Sequence, residues 1–364
     1  MADKVIKPRI IAFEVTRRCR YNCRHCRADA GCVVDEPEPT TAQCKKIISA
    51  VAKFTRKRKR APKSQKDAAA GQMGRETMII LTGGEPMERD DIYEIIRYGL
   101  KRGLRMVMAT CGYLIDEHSI EKLKESGVSA LSFSLDGASA ETHDAFRQAA
   151  GSFDSTLRAA QTAAAAGLRF QINSTISKIN VEEIVALGAL AEKLGAYCFN
   201  PFILVPTGRG AAIADAILDP IEYETVLNEL LRLKLQCRLQ VRLTCAPQFA
   251  RLCRQQKLDH LTEGVTGCIG GRDFAFISYR GDVQTCGFLN ISAGNLLENG
   301  YNLRDIWLNS QFLKEIRNVG AYKGACTLCE YVTTCGGCRA RAYTMSGDYL
   351  AADPICNYKV AAAK

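Results

Sequence analysis

Residues 15–29, VTRRCRYNCRHCRAD, place Cys19, Cys23 and Cys26 within eight positions in the spacing C-x3-C-x2-C, interleaved with five arginines. The stretch overlaps the end of IIAFEV (10–15), a β-branched run that reads as a strand. Structural zinc sites generally use four ligands in paired C-x2-C units, and here there are three. A trio suits a cubane [4Fe–4S] cluster, in which each iron wants one outside ligand. Three protein thiolates leave one iron open to a substrate with adjacent amino and carboxylate groups. A zinc site and a merely reactive group of cysteines stand as the alternatives.

Outward from the trio, short β-branched runs alternate with amphipathic ones. Strands are predicted at 10–15, 77–82, 104–110, 128–136, 168–176 and 197–205, and helices at 40–54, 90–102, 116–126, 141–166 and 181–194. Gly103, Gly127, Gly167 and Gly195 close helices or the turns after them. Six strand–helix units predict an α/β fold with a parallel sheet, open or curled into a partial (β/α)6 barrel. In such folds the site lies at the C-terminal strand ends. The cysteine trio, TGGEP (82–86) and SLDG (134–137) all fall there.

The 364-residue chain exceeds one ordinary domain. Residues 1–212 read as the core, 213–264 as a bridging segment with a helix at 220–235 and a strand at 238–244, and 265–364 as a Gly- and Cys-rich module. No apolar run approaches the ~18 residues of a membrane span, and MADKVIKPRI lacks a signal-peptide apolar region. A cytoplasmic location is expected, where seventeen cysteines point to metal or redox chemistry rather than disulfides. The formal charge of +10 admits nucleic acid, an acidic surface or an anionic small substrate. Residues 53–76 interrupt the pattern with eight Lys or Arg within 53–66. They read as a solvated or disordered helix extension or as a docking patch, and without interleaved aromatics they offer little for base stacking.

C-x3-C-x2-C after the first strand, followed by GGEP (83–86) after the second, resembles the radical S-adenosylmethionine (SAM) superfamily. The resemblance implies that Cys19, Cys23 and Cys26 hold a [4Fe–4S] cluster whose fourth iron binds the methionine moiety of SAM. His25 fills the place usually held by an aromatic before the third cysteine. The backbone of Gly83, Gly84 and Glu85, with Pro86 completing the motif, would face the SAM amino group. Ser134, Asp136, Arg147 and Asn173 resemble contacts to the ribose and carboxylate. The third strand often ends in Thr-Asn-Gly, whereas this chain has Thr110, Cys111 and Gly112. PTGRG (206–210) reads as an anion-binding turn or a plain loop.

The later cysteines run Cys268-x12-Gly-x4-Cys286, then Cys326-x2-Cys329-x5-Cys335-x2-Cys338, then Cys356. This pattern is similar to the SPASM extension of radical SAM enzymes, and it implies one or two auxiliary [4Fe–4S] clusters. By that analogy Cys326, Cys329, Cys335 and Cys356 hold one. Cys268, Cys286 and Cys338 hold the other, with Cys245 in LTCAP as candidate fourth ligand and an open iron as the rival. A zinc ribbon is the structural alternative.

As a whole the chain resembles the haem b synthases, Fe-coproporphyrin III decarboxylases of the siroheme-dependent haem pathway. The stretches that carry it include RIIAFEVTRRCRYNCRHCRADA, SLDGASAETHDAFR, TCAPQFARLCRQQ and CGGCRARAYTMSGDYLAADPICNY. The resemblance implies SAM cleavage to a 5′-deoxyadenosyl radical, hydrogen abstraction from a propionate, and loss of CO2 and one electron to leave a vinyl group. It also implies a reducing donor such as ferredoxin or flavodoxin. For the anionic tetrapyrrole, Arg209, Arg251, Arg254 and Arg272 are candidate anchors, because guanidinium meets carboxylate at two points. Arg339 and Arg341 would screen a cluster's charge, and His260 would approach the porphyrin iron. Three other readings share some of these motifs. One is a ribosomal-peptide maturase, which usually adds a domain ahead of its core; only nine residues precede the first strand here. The others are an enzyme trimming didecarboxysiroheme or making haem d1, and a non-catalytic iron–sulfur nucleic-acid binder.

Overall fold

The structure is a computed structural model that describes residues 6–34, 36–56, 76–262 and 267–360. Most of the basic stretch, residues 57–75, lies outside the described residues, as does its reading as a helix extension or patch.

Strands β1 (Ile10–Thr16), β2 (Met78–Gly83), β3 (Arg105–Thr110), β4 (Leu131–Ser134), β5 (Phe170–Ile176) and β6 (Cys198–Ile203) stand parallel, side by side in chain order. This is the six-unit α/β arrangement expected of a partial barrel. A short β7 (Gln240–Val241) pairs with β6 at one edge. At the other edge β8 (Phe274–Ile277) pairs in parallel with β1, and β9 (Val283–Gln284) runs antiparallel to β8. The cysteine-rich module is therefore stitched into the sheet beside the strand that carries the trio.

Alternation along β1 shows why these residues form a strand between two layers. Ile11, Phe13 and Val15 share one core with Cys44, Ile47, Ile48, Val51 and Phe54 of helix α1 (Thr41–Thr55). Each such side chain contributes about 1.5–3 kcal/mol relative to exposure. With a period of two, Ala12, Glu14 and Thr16 take the inner face. Helix α1 starts where Thr40 and Gln43 form a reciprocal capping box. Along the remaining helices, α2 (Ile92–Lys101) and α3 (Glu117–Ser126) follow their predicted positions. Gly103, Gly127, Gly167 and Gly195 all take left-handed φ.

One element departs from its sequence reading. The predicted helix 141–166 is two helices, α4 (Ala140–Arg147) and α5 (Ser152–Ala165). Gln148 and Gly151 take left-handed φ of 49° and 77°. The Asp144 carboxylate caps α5, accepting from Gly151 N (2.6 Å), Phe153 N (2.7 Å) and Ser152 Oγ (2.8 Å). A break paid for locally in this way ends α4 at Arg147, which it delivers to the site. Helices α6 (Ile184–Lys193), α7 (Pro220–Gln236) and α8 (Gln248–Gln255) complete the core and the bridge.

Candidate active site at the C-terminal strand ends

The trio lies on a loop held from several sides. Cys19 N–H donates to Gly31 O (2.9 Å), Arg24 N–H to Phe146 O (3.0 Å) and Cys26 N–H to Cys23 O (3.2 Å). PTGRG closes on the same loop. Arg209 N–H donates to Cys26 O (3.0 Å), its Nε to Cys23 O (3.0 Å) and its Nη1 to Ala30 O (2.7 Å). At Gly208, φ 56°, a Cβ would stand 2.5 Å from the carbonyl oxygens of Cys26 and Arg27, so only glycine admits this approach. As placed, Arg209 holds the cysteine loop through Nε and Nη1, while its buried Nη2 has no hydrogen-bond partner among the described residues.

GGEP meets the loop backbone to backbone. Gly84 N–H donates to Thr16 O and Glu85 N–H to Arg18 O, both at 2.8 Å. A Cβ on Gly83 would lie 2.0 Å from Thr16 O. An ammonium only donates, so it is the motif's carbonyl oxygens, not its amides, that can meet one. Pro86 opens a short 3-10 turn, Pro86–Glu88. The Glu85 side chain, fully buried, turns away to accept from Thr110 Oγ1 (2.8 Å), Cys111 N (2.6 Å) and Met87 N (3.1 Å). Burial pushes its carboxyl up to about 7 against those donors. It joins the ends of β2 and β3.

Asp136 is the centre of a buried polar group. Its Oδ2 accepts from Arg147 Nε (2.8 Å) and Nη2 (2.6 Å), and His25 Nε2 stands 3.4 Å from it. Its Oδ1 accepts from Thr175 N (2.6 Å), and its own N–H donates to His143 Nδ1 (3.0 Å). Burial alone would raise the Asp136 carboxyl, but Arg147 foremost among its partners holds it down at about 2. Arg147 also stands 3.8 Å from Cys23 Sγ and 3.7 Å from Cys111 Sγ. Asp136, Arg147 and His25 are thus brought together beside the trio, with Arg147 engaged by Asp136. Ser134 and Asn173 are register partners on β4 and β5. Asn173 Oδ1 accepts from Asn200 Nδ2 (3.3 Å), and Asn200 Oδ1 from Thr244 Oγ1 (2.9 Å), which extends a polar row to β6 and beyond.

His143 gives this group a pH signature. Burial foremost, with Arg147 second, lowers its pKa to about 4, from the usual histidine value near 6.5. The unfolded chain takes up that proton first as pH falls, so the stability His143 contributes is present above about 6.5 and lost on the way to about 4. The loss is at most roughly 3–4 kcal/mol, at 1.36 kcal/mol per unit. His143→Asn, which keeps an acceptor near the Nδ1 position, should flatten the fall of Tm between those pH values relative to wild type.

The later cysteines gather in two places. Cys326, Cys329, Cys335 and Cys356 line one cavity, together with Arg251, Tyr331 and Tyr358. Cys245, Cys286 and Cys338 pack in a second small cluster, with Cys268 close enough to Cys338 and Cys286 to feel their charge. Cys245 adopts φ 57°, a strained backbone for a non-glycine residue that aims it at this set. Among the described residues no three His, Cys, Asp or Glu side chains are drawn together as a single metal ion requires. A cubane takes its thiolates at separate irons and spaces them more widely. Buried donors beside these sets also lack partners among the described residues: Arg251 Nε, and Nε and Nη2 of Arg339. Acceptors such as cluster sulfides fit them. Behind Cys338, Arg341 and Asp353 form a fully buried pair at 2.8 Å, and Asp353 Oδ2 accepts from Cys338 N (2.8 Å).

The family model of the radical SAM superfamily matches residues 13–191, and that of an iron–sulfur cluster-binding domain, SPASM, matches 268–338. An AdoMet-dependent heme synthase of Methanosarcina barkeri is 40% identical, over 97% of this chain and 97% of its own length. The chain belongs to the radical SAM/SPASM enzymes, in the family of the AdoMet-dependent heme synthases. A second such synthase, from Nitratidesulfovibrio vulgaris, is 38% identical over 96% of this chain and 92% of its own. Streptococcus suis SuiB bound to its precursor peptide SuiA shares the fold, with TM-score 0.71 at 16% identity, over 97% of this chain and 77% of its own. The cofactors of this radical SAM/SPASM enzyme are SAM and iron–sulfur clusters.

The remaining arginine candidates each have partners of their own. Arg251 pairs with Glu224 (2.5 Å) and stacks over Tyr358 at the four-cysteine cavity. Arg254 donates to Thr334 Oγ1 (3.1 Å), and Arg272 to Arg317 O (3.4 Å). His260 is exposed on a 3-10 turn. Sequence reading passed over Glu85 as a side chain, and also His143, Asn200 and Thr244. Asn200 alone left a trace, as a polar residue at an inner-face position of an otherwise apolar strand.

Proposed function

We propose that this enzyme converts two propionates of Fe-coproporphyrin III to vinyl groups, giving haem b. Each conversion removes a hydrogen atom from the β-carbon, releases the carboxyl carbon as CO2 and leaves one electron to dispose of. When bound at the trio, the cluster and SAM supply the 5′-deoxyadenosyl radical that takes the hydrogen. The protein's own residues have plainer tasks. Gly83, Gly84 and Glu85 present carbonyl oxygens for the SAM ammonium, and the Ser134–Asn173–Asn200 row supplies neutral hydrogen-bonding groups across the inner face. Phe202 and Phe288, with ring centroids 6.3 Å apart, offer an apolar wall for a flat ligand. Arg27 stacks on Phe276 at 4.5 Å and pairs with Glu14, bringing a guanidinium to the same face. The two later cysteine sets would hold the auxiliary clusters that accept the electron, and a ferredoxin- or flavodoxin-type carrier would supply the reducing one.

The observation that carries the reading is the 40% identity to a heme synthase along essentially the whole of both chains, with the trio and GGEP locked together at the strand ends. The test is anaerobic incubation of reconstituted enzyme with SAM, a reductant and Fe-coproporphyrin III. Mass spectrometry should show loss of CO2 and two hydrogens, twice. Formation of 5′-deoxyadenosine with the porphyrin untouched would sink the haem reading and favour a peptide substrate.

A further inference from the structure

Cys111 occupies the position where the resemblance leads one to expect an asparagine. Its side chain lies in the same small apolar cluster as Cys19, with Cys26 packed against it. Arg147 Nη1 forks between Cys111 Sγ at 3.7 Å and Cys23 Sγ at 3.8 Å. Both side chains are more than nine-tenths buried. We propose that Cys111 and Arg147 are positioning residues that donate hydrogen bonds to the thiolates of Cys19 and Cys23 and so set the reduction potential of the SAM-binding cluster. The proposal rests on the reading that the trio holds that cluster.

Reduction adds negative charge that the ligand sulfurs share, so a donor aimed at them stabilises the reduced state more than the oxidised one. Burial makes each donor count for more than it would in water. The positions of both groups are over-determined. The Cys111 backbone is pinned at N–H by Glu85 (2.6 Å) and at its carbonyl by Thr156 Oγ1 (3.1 Å). Arg147 is fixed by two bonds to Asp136. A thiol that only filled space would not need such scaffolding. An asparagine is longer and carries a polar amide, whereas the thiol packs in the small apolar cluster with Cys19 and Ala30.

The experiment compares reconstituted wild type with Cys111→Ala, Cys111→Val and Cys111→Ser. The readout is the midpoint potential of the electron paramagnetic resonance component that changes on adding SAM. Alanine and valine, which donate nothing, should lower the equilibrium constant for reduction about tenfold, which is about 59 mV for one electron. Serine, whose hydroxyl still donates, should return most of the shift, and iron content should match wild type throughout. A wild-type potential in both alanine and valine variants would overturn the proposal. So would loss of the SAM-responsive iron in them, because Cys111 would then be a ligand. If wild type itself shows no SAM-responsive component, it is the cluster reading that fails, and the tuning proposal with it.

Discussion

Cys23→Ala should abolish 5′-deoxyadenosine formation, with a fall of at least about a thousandfold, or roughly 4 kcal/mol at 1.36 kcal/mol per decade. Cys23 is buried, its carbonyl is gripped by Arg209 and its sulfur faces Arg147. Alanine leaves two thiolates for a cluster that needs three from the protein, and it leaves the Arg147 guanidinium without its sulfur partner. The chain should still fold, because the trio's loop is held by backbone bonds from Gly31, Phe146 and PTGRG. The cysteines of the later sets sit elsewhere and should keep their iron. Cys32→Ala, at an exposed thiol in the same region, is the matched control and should cleave SAM as wild type does. Chromatography of the cleavage products decides it, and turnover surviving in Cys23→Ala would contradict the ligand assignment.

The second large effect separates cleavage from net oxidation. Cys335→Ala should keep SAM cleavage within about threefold of wild type, yet lower vinyl formation at least about a hundredfold, close to 3 kcal/mol on the same scale. Cys335 lines the cavity with Cys326, Cys329 and Cys356 and lies at the opposite end of the sequence from the trio. Its loss should empty that set while GGEP and the Asp136 group remain intact. A substrate radical without an acceptor for its electron then stalls. Products are counted side by side as 5′-deoxyadenosine and decarboxylated porphyrin. Equal falls in both would place this set in the cleavage step instead.

The strands and most of the helices were legible because each rests on a local signal: period-two alternation in β1, the Thr40–Gln43 box at α1, glycines where helices must stop. The break between α4 and α5 was not. Apolar residues continue through 141–166 with helical spacing, and the competing signal, Asp144 capping a second helix, is a tertiary arrangement. The trio and GGEP were readable because cluster chemistry and a 2.0 Å backbone approach at Gly83 demand particular residues in particular order. The arginines were not. A guanidinium far along the chain reads the same whether it binds a substrate carboxylate or, as Arg209 does, the carbonyls of Cys23 and Ala30. Cys245 lay between: its LTCAP context marked it as a candidate, and only the fold shows its sulfur beside that of Cys338. Pairing of β8 with β1 had no sequence signal, since a four-residue apolar run says nothing of its partner.

The central claim is a cubane on Cys19, Cys23 and Cys26 with one iron left for SAM. Electron paramagnetic resonance of the reduced, anaerobically reconstituted protein, recorded with and without SAM, tests it most directly. One component should change its signal on adding SAM and be missing from Cys23→Ala. A spectrum indifferent to SAM in the wild type would contradict the account.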